Sequence, residues 1–144
     1  MPILAGMDAA YFKKQIEDYA SGRRASPEME PYAKQTLDLG VDDLAAFFAG
    51  KKMERTPIRA DAAAVARGRQ AAGACASCHG ADGRGDRAKV VPGLAGQAPG
   101  YLRTQMLSFK RDQRKLVEPA KAVMKSVSDA SLADLAAYYS SVTR

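Results

Sequence analysis

Cysteine and histidine are scarce in this chain, and their scarcity limits the chemistry that it can support. The 144 residues include two cysteines, one histidine and no tryptophan. A structural zinc site needs four protein ligands, usually cysteine or histidine, and three such residues fall short of that set. All three lie within one five-residue segment, at Cys75, Cys78 and His79. Cofactor or metal chemistry based on these side chains is therefore expected at one place in the sequence.

Long apolar runs and strand-like patterns are also lacking. No run approaches the ~20 apolar residues that span a bilayer. The first residues, Met1-Pro2-Ile3-Leu4, lack the basic start and long apolar core of a secretory signal. No segment sustains the alternation of polar and β-branched residues that predicts strands. Hydrophobic residues make up 47% and charged residues 26% of the chain, which is typical of a globular protein with one ordinary domain or two very small ones.

Positive charge is concentrated in the second part of the chain. The formal net charge is +6: residues 1–58 carry eight Lys or Arg and nine Asp or Glu, whereas residues 59–144 carry fourteen and seven. A surface that binds single-stranded nucleic acid would interleave basic residues with stacking aromatic residues, but here they are scattered among Ala and Ser. We therefore expect no nucleic-acid partner, and either a solvated face or a docking surface for acidic redox partners.

Helices dominate the predicted secondary structure. Apolar residues recur at three- and four-residue spacing in five Ala-rich segments, namely 8–20, 41–50, 60–72, 99–110 and 131–143. Gly and Pro mark the loops between them, mainly at 79–100 and 113–127.

An internal repeat relates the two ends of the chain. A shift of 90 residues aligns 2–24 with 92–114 and matches seven identical residues, including the pairs Tyr11/Tyr101, Gln15/Gln105 and Arg24/Arg114. Further on, a shift of 91 aligns 43–48 with 134–139. We interpret the pattern as a duplication. A counterpart of Cys75 would fall before Met1, so the N-terminal third is expected to be the back half of a domain whose front half is missing.

The segment Cys75-Ala76-Ser77-Cys78-His79 carries the most specific chemical signal. On a helical turn, cysteines three residues apart share one face. Two thioether bonds to haem vinyl groups can then form on that face while the adjacent imidazole reaches the iron, and Cys-x-x-Cys-His is the signature of covalent haem attachment. A zinc site and a thioredoxin-type thiol pair are the alternatives. The zinc site lacks a fourth protein ligand, and the thiol pair lacks the strand that should precede it.

Residues 59–144 resemble a class I cytochrome c domain. The resemblance rests on the Cys-x-x-Cys-His segment, on Gly68 in the first helix, on the string Pro92-Gly93-Leu94-Ala95-Gly96-Gln97 followed by Tyr101, and on residues 132–139. The same string is similar to that of bacterial dihaem cytochromes c, and residues 2–50 resemble the second half of their first domain. The resemblance implies an all-α chain with a partial, C-terminal-half cytochrome c domain at 1–50, a linker at 51–58 and a class I cytochrome c fold at 59–144.

The resemblance also implies roles for individual residues. Cys75 and Cys78 would attach one haem c covalently, and His79 would ligate its iron. The carbonyl of Pro92 would face the Nδ1 side of that histidine and fix its orientation. Met124, in the loop before the last helix, would be the sixth ligand, although it lies closer to that helix than the family usually allows. The alternatives are an open iron site or a ligand from elsewhere.

Two further positions are interpreted as packing residues. Gly68 would let the first helix of the domain cross closely over the last, against Tyr138. Met106 lies on the apolar stripe of a helix, so we expect it in the core rather than at the iron.

These features together predict a periplasmic electron-transfer protein rather than an enzyme. The alternatives are a five-coordinate haem protein that binds small ligands, or the haem subunit of a larger redox enzyme. We expect residues 2–50 to bind no haem and to fold as helices packed against the haem domain or against a second copy of the chain. Their apolar face, made of the stripe Tyr11, Phe12, Ile16 and Tyr19 and the run Leu44, Phe47 and Phe48, would otherwise be exposed, and a homodimer could cover it.

Overall fold

The computed structural model describes residues 1–53 and 60–143, and every regular element in those residues is an α-helix. The N-terminal unit, residues 1–53, contains α1 Ala9–Ala20, α2 Met29–Leu39 and α3 Val41–Ala49. The C-terminal unit, residues 60–143, contains α4 Ala62–Ala71, α5 Gly73–His79, α6 Pro99–Lys110, α7 Ala120–Ser126 and α8 Asp129–Ser141. In the described part of the chain, no helix is long and apolar enough to cross a membrane. The all-α fold is thus confirmed.

Side chains that cap the backbone determine where three of the helices start. The carboxylate of Asp8 accepts a hydrogen bond from the amide of Tyr11 at 2.9 Å, and Asp61 accepts one from Ala64 at 2.9 Å. The hydroxyl of Ser128 accepts a hydrogen bond from the first turn of α8 in the same way. Each contact satisfies an amide that has no partner inside the helix, which stabilises a helix by about 1 kcal/mol.

Each unit buries its own cluster of apolar side chains. In the N-terminal unit, α1 packs on α2 and α3 around Phe12, Ile16, Ala33, Val41 and Ala45. In the C-terminal unit, α8 packs on α4 and α6 around a cluster that includes Leu102, Leu132, Leu135 and Tyr139. Two clusters agree with two units, but the boundaries 1–50, 51–58 and 59–144 stay a prediction, because residues 54–59 and 144 lie outside the described part of the chain.

Equivalent hydrogen bonds confirm the duplication. Helices α1 and α6 each have 12 residues and start 90 residues apart. The amide of Gly6 donates to the carbonyl of Phe48 at 2.8 Å, and the amide of Gly96 donates to the carbonyl of Tyr139 at 2.8 Å. Gly96 is the counterpart of Gly6 at a shift of 90 residues, and Tyr139 is the counterpart of Phe48 at a shift of 91, as in the sequence alignment.

The close crossing of α4 over α8 depends on Gly68. A Cβ atom at this position would lie 2.1 Å from the carbonyl oxygen of Asp134 and 2.7 Å from the Cβ of Tyr138. Neither a backbone atom nor a Cβ can move away cheaply, so glycine is the residue that allows this separation of the helices. The predicted role of Gly68 is confirmed.

Helices α2, α5 and α7 were not among the five predicted segments, and α7 contains the candidate ligand Met124. Met124 was placed in a loop at 113–127; it lies instead on α7, so that prediction is wrong. Helices α5 and α7 have seven residues each, too few to show a helical period. Pro119 directly before α7 and Pro31 within α2 suggest loops. As predicted, the described residues form no strand; they contain one isolated bridge, between Asp86 and Val91.

The apolar stripe of α1 is covered within its own unit. Phe12 is 5% exposed and Ile16 is 7% exposed, because both pack against α2 and α3. The expectation that this stripe needs another domain to cover it is therefore wrong for these two residues, whereas Phe47 on α3 stays 54% exposed. The N-terminal unit is helical and contacts the C-terminal unit, as predicted. Pairing of two chains through residues 2–50 stays a prediction.

Candidate functional site

The two cysteines and the histidine lie on the short helix α5. The helix ends at His79, and the next residue, Gly80, has a φ of +79° that turns the chain away and an amide that donates to the carbonyl of Ala76. Both thiols are free; that of Cys75 is half-buried and that of Cys78 is exposed. Because one helical turn separates the cysteines, their side chains leave the same side of α5. Two thiols and an imidazole are therefore presented together.

A hydrogen bond fixes the imidazole of His79. Its Nδ1 lies 2.9 Å from the carbonyl oxygen of Pro92, so Nδ1 carries the proton and donates to that carbonyl. The other ring nitrogen, Nε2, then keeps a free lone pair. Burial lowers the pKa of His79, although the Pro92 carbonyl opposes that shift, so the ring is neutral at pH 7, as a metal ligand must be. The predicted contact between Pro92 and His79 is confirmed.

The loop after α5 folds back so that Pro92 meets the histidine. The amide of Gly85 donates to the carbonyl of His79 at 2.8 Å, and Asp86 and Val91 exchange backbone hydrogen bonds at 3.0 and 2.9 Å. Gly85 has a φ of +82°, and a Cβ there would lie 2.4 Å from the carbonyl oxygen of Val91. Its backbone conformation and the close approach both require glycine.

The surroundings of Cys75 do not suit thiol chemistry. Burial raises the pKa of the Cys75 thiol, and a hydrogen bond from the neighbouring Tyr139 only partly opposes that shift. Tyr139 is 1% exposed, and burial raises its own pKa as well. Reactive cysteines have a lowered pKa because the thiolate is the nucleophile. A protonated thiol beside a buried ring does not fit the thiol-pair alternative.

The two methionines of the C-terminal unit occupy different environments. Met106 is 8% exposed and belongs to the buried cluster itself, which confirms its predicted packing role. Met124 is half-buried on α7 and packs against the same cluster as Cys75.

The donor set fits haem, a cofactor that already contains its iron. Two free thiols on one helical face, a neutral imidazole with one free nitrogen and a half-buried thioether match the groups that attach and ligate a c-type haem. Among the described residues, no group of three or more His, Cys, Asp or Glu could hold a metal ion by itself. A zinc site made of protein ligands therefore finds no support in residues 1–53 and 60–143.

Six residues between the two units were missed as functional candidates. Tyr11, Gln15 and Arg24 of the N-terminal unit hydrogen-bond with Tyr101, Gln105 and Arg114 of the C-terminal unit. The repeat alignment had already matched all six, which was the available signal. A repeat reveals which residues correspond, but it does not reveal which residues touch.

Comparison with known proteins identifies the family. The cytochrome c family profile matches residues 65–143. The chain is 32% identical to the thiosulfate dehydrogenase electron acceptor of Stutzerimonas stutzeri, over 98% of this chain and 70% of that protein. It is 31% identical to cytochrome c4 of Pseudomonas aeruginosa, over 94% of this chain and 71% of that protein. The chain belongs to the cytochrome c family.

A solved structure supports the fold of both units. Reduced recombinant cytochrome c4 from Pseudomonas stutzeri superposes on this cytochrome c with a TM-score of 0.88 and 24% identity, covering 99% of this chain and 85% of that one. The predicted class I cytochrome c fold, preceded by a partial cytochrome c domain, is thereby confirmed. Family membership makes this cytochrome c an electron-transfer haem protein in which haem c is covalently bound.

Proposed function

We propose that this cytochrome c carries a single haem, attached through Cys75 and Cys78 and ligated by His79. The observation that carries the proposal is the hydrogen bond of 2.9 Å between His79 Nδ1 and the Pro92 carbonyl. It supports the assignment because it leaves one ring nitrogen free and holds the ring beside the two thiols. No second histidine exists in the chain, so one imidazole ligand supports one haem.

The protein residues have separate tasks in this proposal. The haem, when bound, supplies an iron that accepts or releases one electron at a time. The two thiols tether it, and the Pro92 carbonyl orients the imidazole of His79. Met124, on α7, would supply a second ligand to that iron. A thioether ligand raises the reduction potential and keeps external ligands away, which suits an electron carrier better than a ligand-binding haem protein.

Matched methionine substitutions test the axial assignment. Met124→Leu removes the thioether and keeps a similar volume, so we expect the weak red-end band of the ferric protein to disappear, the reduction potential to fall and the ferrous protein to bind carbon monoxide. Met106→Leu makes the same change in the core and should leave all three properties unchanged. If Met124→Leu kept the wild-type spectrum and potential, another ligand would hold the sixth position.

We further propose that the electron partner is a protein with an acidic docking face, in the periplasm. Residues 103–129 carry seven Lys or Arg, of which Arg114 is buried, and three Asp or Glu. Lys121 and Lys125, on the helix of Met124, share the single carboxylate of Asp112 at 3.5 and 3.2 Å, and Lys110 pairs with Asp129 at 2.8 Å. This excess of positive charge beside the proposed ligand supports such docking. The relative named as an electron acceptor of thiosulfate dehydrogenase supports a partner enzyme that donates electrons.

Charge reversal tests the docking surface. Lys121→Glu with Lys125→Glu should slow the second-order rate of electron transfer with an acidic partner at least about tenfold, because attraction becomes repulsion. Lys51→Glu with Lys52→Glu makes the same charge change in the N-terminal unit and should have a much smaller effect. Equal effects of the two pairs would mean that only net charge matters and that α7 is not the docking site.

A further inference from the structure

Six buried or half-buried side chains form a closed hydrogen-bond network between the two units. Arg24 donates to Gln15 Oε1 at 2.8 Å, to Gln105 Oε1 at 2.7 Å and to the hydroxyl of Tyr101 at 3.0 Å. Arg114 donates to Gln105 Oε1 at 2.7 Å, to Gln15 Oε1 at 2.5 Å and to the hydroxyl of Tyr11 at 2.9 Å. Each glutamine oxygen therefore bridges both guanidinium groups.

The network has internal two-fold symmetry. Exchanging every residue for its counterpart 90 positions away converts the hydrogen bonds of Arg24 into those of Arg114. The aromatic contacts obey the same rule: Arg24 lies 4.4 Å from the ring centre of Tyr19, and Arg114 lies 4.3 Å from that of Phe109. Both arginines are buried, at 7% and 9% exposure. The interface is thus the kind that two identical surfaces make with each other.

A surface that binds its own duplicate is complementary to itself. The C-terminal unit presents Tyr101, Gln105 and Arg114 to a surface made of Tyr, Gln and Arg in the equivalent positions. We propose that this face of the C-terminal unit binds the same face of a second copy of the chain when the N-terminal unit does not cover it. In the pair, Arg114 of each chain donates to the Gln105 and Tyr101 of the other.

Two contacts that lack the symmetry favour the pairing within one chain. Asp8 and Arg87 form a long ion pair at 3.8 Å, and an exposed pair of this kind contributes little. The side chain of Gln97 bonds the amide and carbonyl of Ile3, at 2.6 and 3.0 Å. Both partners of Gln97 are backbone groups. Gly93, the counterpart of Ile3, has the same backbone groups, so this contact is also available between two copies of the chain. The covalent connection adds an effective concentration in the millimolar range, so the wild-type chain is expected to keep the face covered.

Substitutions confined to the N-terminal unit test the proposal on the full, haem-loaded chain. Gln15→Ala with Arg24→Ala removes the Gln15 oxygen that accepts from Arg114 and the guanidinium that donates to Gln105 and Tyr101. Both substitutions leave the C-terminal face intact. Sedimentation velocity over a concentration series should then show dimers, at concentrations at least about tenfold below those at which the wild type associates. Adding Gln105→Ala and Arg114→Ala destroys the remaining face, so the four-substitution variant should return to monomer.

Two results would overturn the proposal. In one, the double variant stays monomeric over the whole series. In the other, the double and four-substitution variants associate equally, which would indicate general exposure of apolar surface. If the double variant does not fold, Arg24→Lys is the second test, since it keeps the charge but cannot bridge Gln15 to Gln105 and Tyr101 in the same way. A helical Arg24→Lys chain should dimerise more readily than the wild type, and an unchanged monomer would count equally against the proposal.

Discussion

Single residues determine how closely the parts of this cytochrome c approach one another. Gly68 sets the separation of α4 and α8, and Gly85 lets the loop return so that Pro92 meets His79. The roles of Gly68 and Pro92 could be predicted from the sequence, because they follow from the resemblance to one well-defined family. The role of Gly85 could not, since it depends on a contact with a carbonyl six residues away that no local pattern reveals.

Replacing Gly68 should destabilise the protein through a steric clash. In Gly68→Ala the new Cβ meets the carbonyl of Asp134, which cannot move without separating α4 from α8. We expect a loss of about 1–3 kcal/mol in the free energy of unfolding, measured by chemical denaturation. Gly100→Ala is the control, because a Cβ there meets nothing within 4 Å, and it should be neutral or slightly stabilising. A Gly68→Ala protein as stable as the wild type would contradict the observed crossing.

Replacing His79 should change the haem spectrum. The chain contains one histidine, so no other imidazole can take its place in His79→Ala. We expect the low-spin visible spectrum to be lost even if the thioether bonds keep the haem attached. A variant with an unchanged spectrum would show that the iron is ligated by another residue.

At the scale of the elements, helical periodicity identifies the long helices and misses the short ones. α1, α3, α4, α6 and α8 lie within two residues of their predicted ends. α7 has seven residues and begins after Pro119. α2 contains Pro31 in its first turn and buries only Ala33, so it lacks an apolar stripe. Both are stabilised by packing against the preceding helix, α1 for α2 and α6 for α7, and the pattern within each short helix does not encode that contact.

An ion pair joins α4 to α8 and gives the C-terminal unit a pH-dependent contribution to stability. Arg67 donates two hydrogen bonds of 2.8 Å to Asp134. This hydrogen bonding, together with the positive charge of Arg67, lowers the pKa of Asp134 against the opposing effect of desolvation. A carboxylate with a lowered pKa stabilises the folded state above its unfolded pKa of about 4, and this contribution is lost as the pH falls through the folded value.

Asp134→Asn should therefore be less stable than the wild type at pH 7, and the difference should close below about pH 4. Denaturation curves of both proteins from pH 7 to pH 3 measure it. Because protonation of the wild-type carboxylate removes the ion pair, the two curves should draw together as the pH falls through the lowered pKa of Asp134. A difference that stays constant over the series would show that the ion pair does not cause it.

At the scale of the whole molecule, the duplication was predictable but the interface was not. The matches of Tyr11, Gln15 and Arg24 with their counterparts indicated a repeat, and equivalent hydrogen bonds confirm it. Only the three-dimensional arrangement shows that these residues face one another across a two-fold axis. The prediction for the N-terminal unit failed in part for a similar reason: α2 covers Phe12 and Ile16, and α2 had not been predicted.

The uneven charge predicts how electron transfer depends on salt. Residues 59–144 carry twice as many basic as acidic residues, so encounter with an acidic partner should be accelerated by long-range attraction. Ions screen such attraction beyond about 8 Å at physiological ionic strength. Stopped-flow rates should fall steadily with added salt for an acidic partner and change little for a neutral small-molecule oxidant. A rate with the acidic partner that is flat over the salt range would leave the positive charge as ordinary solvated surface.

The intact mass of the purified chain under denaturing conditions tests the central claim most directly. After export in a host with the haem-attachment machinery, the account predicts the polypeptide plus one haem. Cys75→Ser with Cys78→Ser, made in the same host, should show the polypeptide alone. A wild-type mass with no haem or with two, or a double variant that keeps its haem, would contradict a single attachment through Cys75 and Cys78.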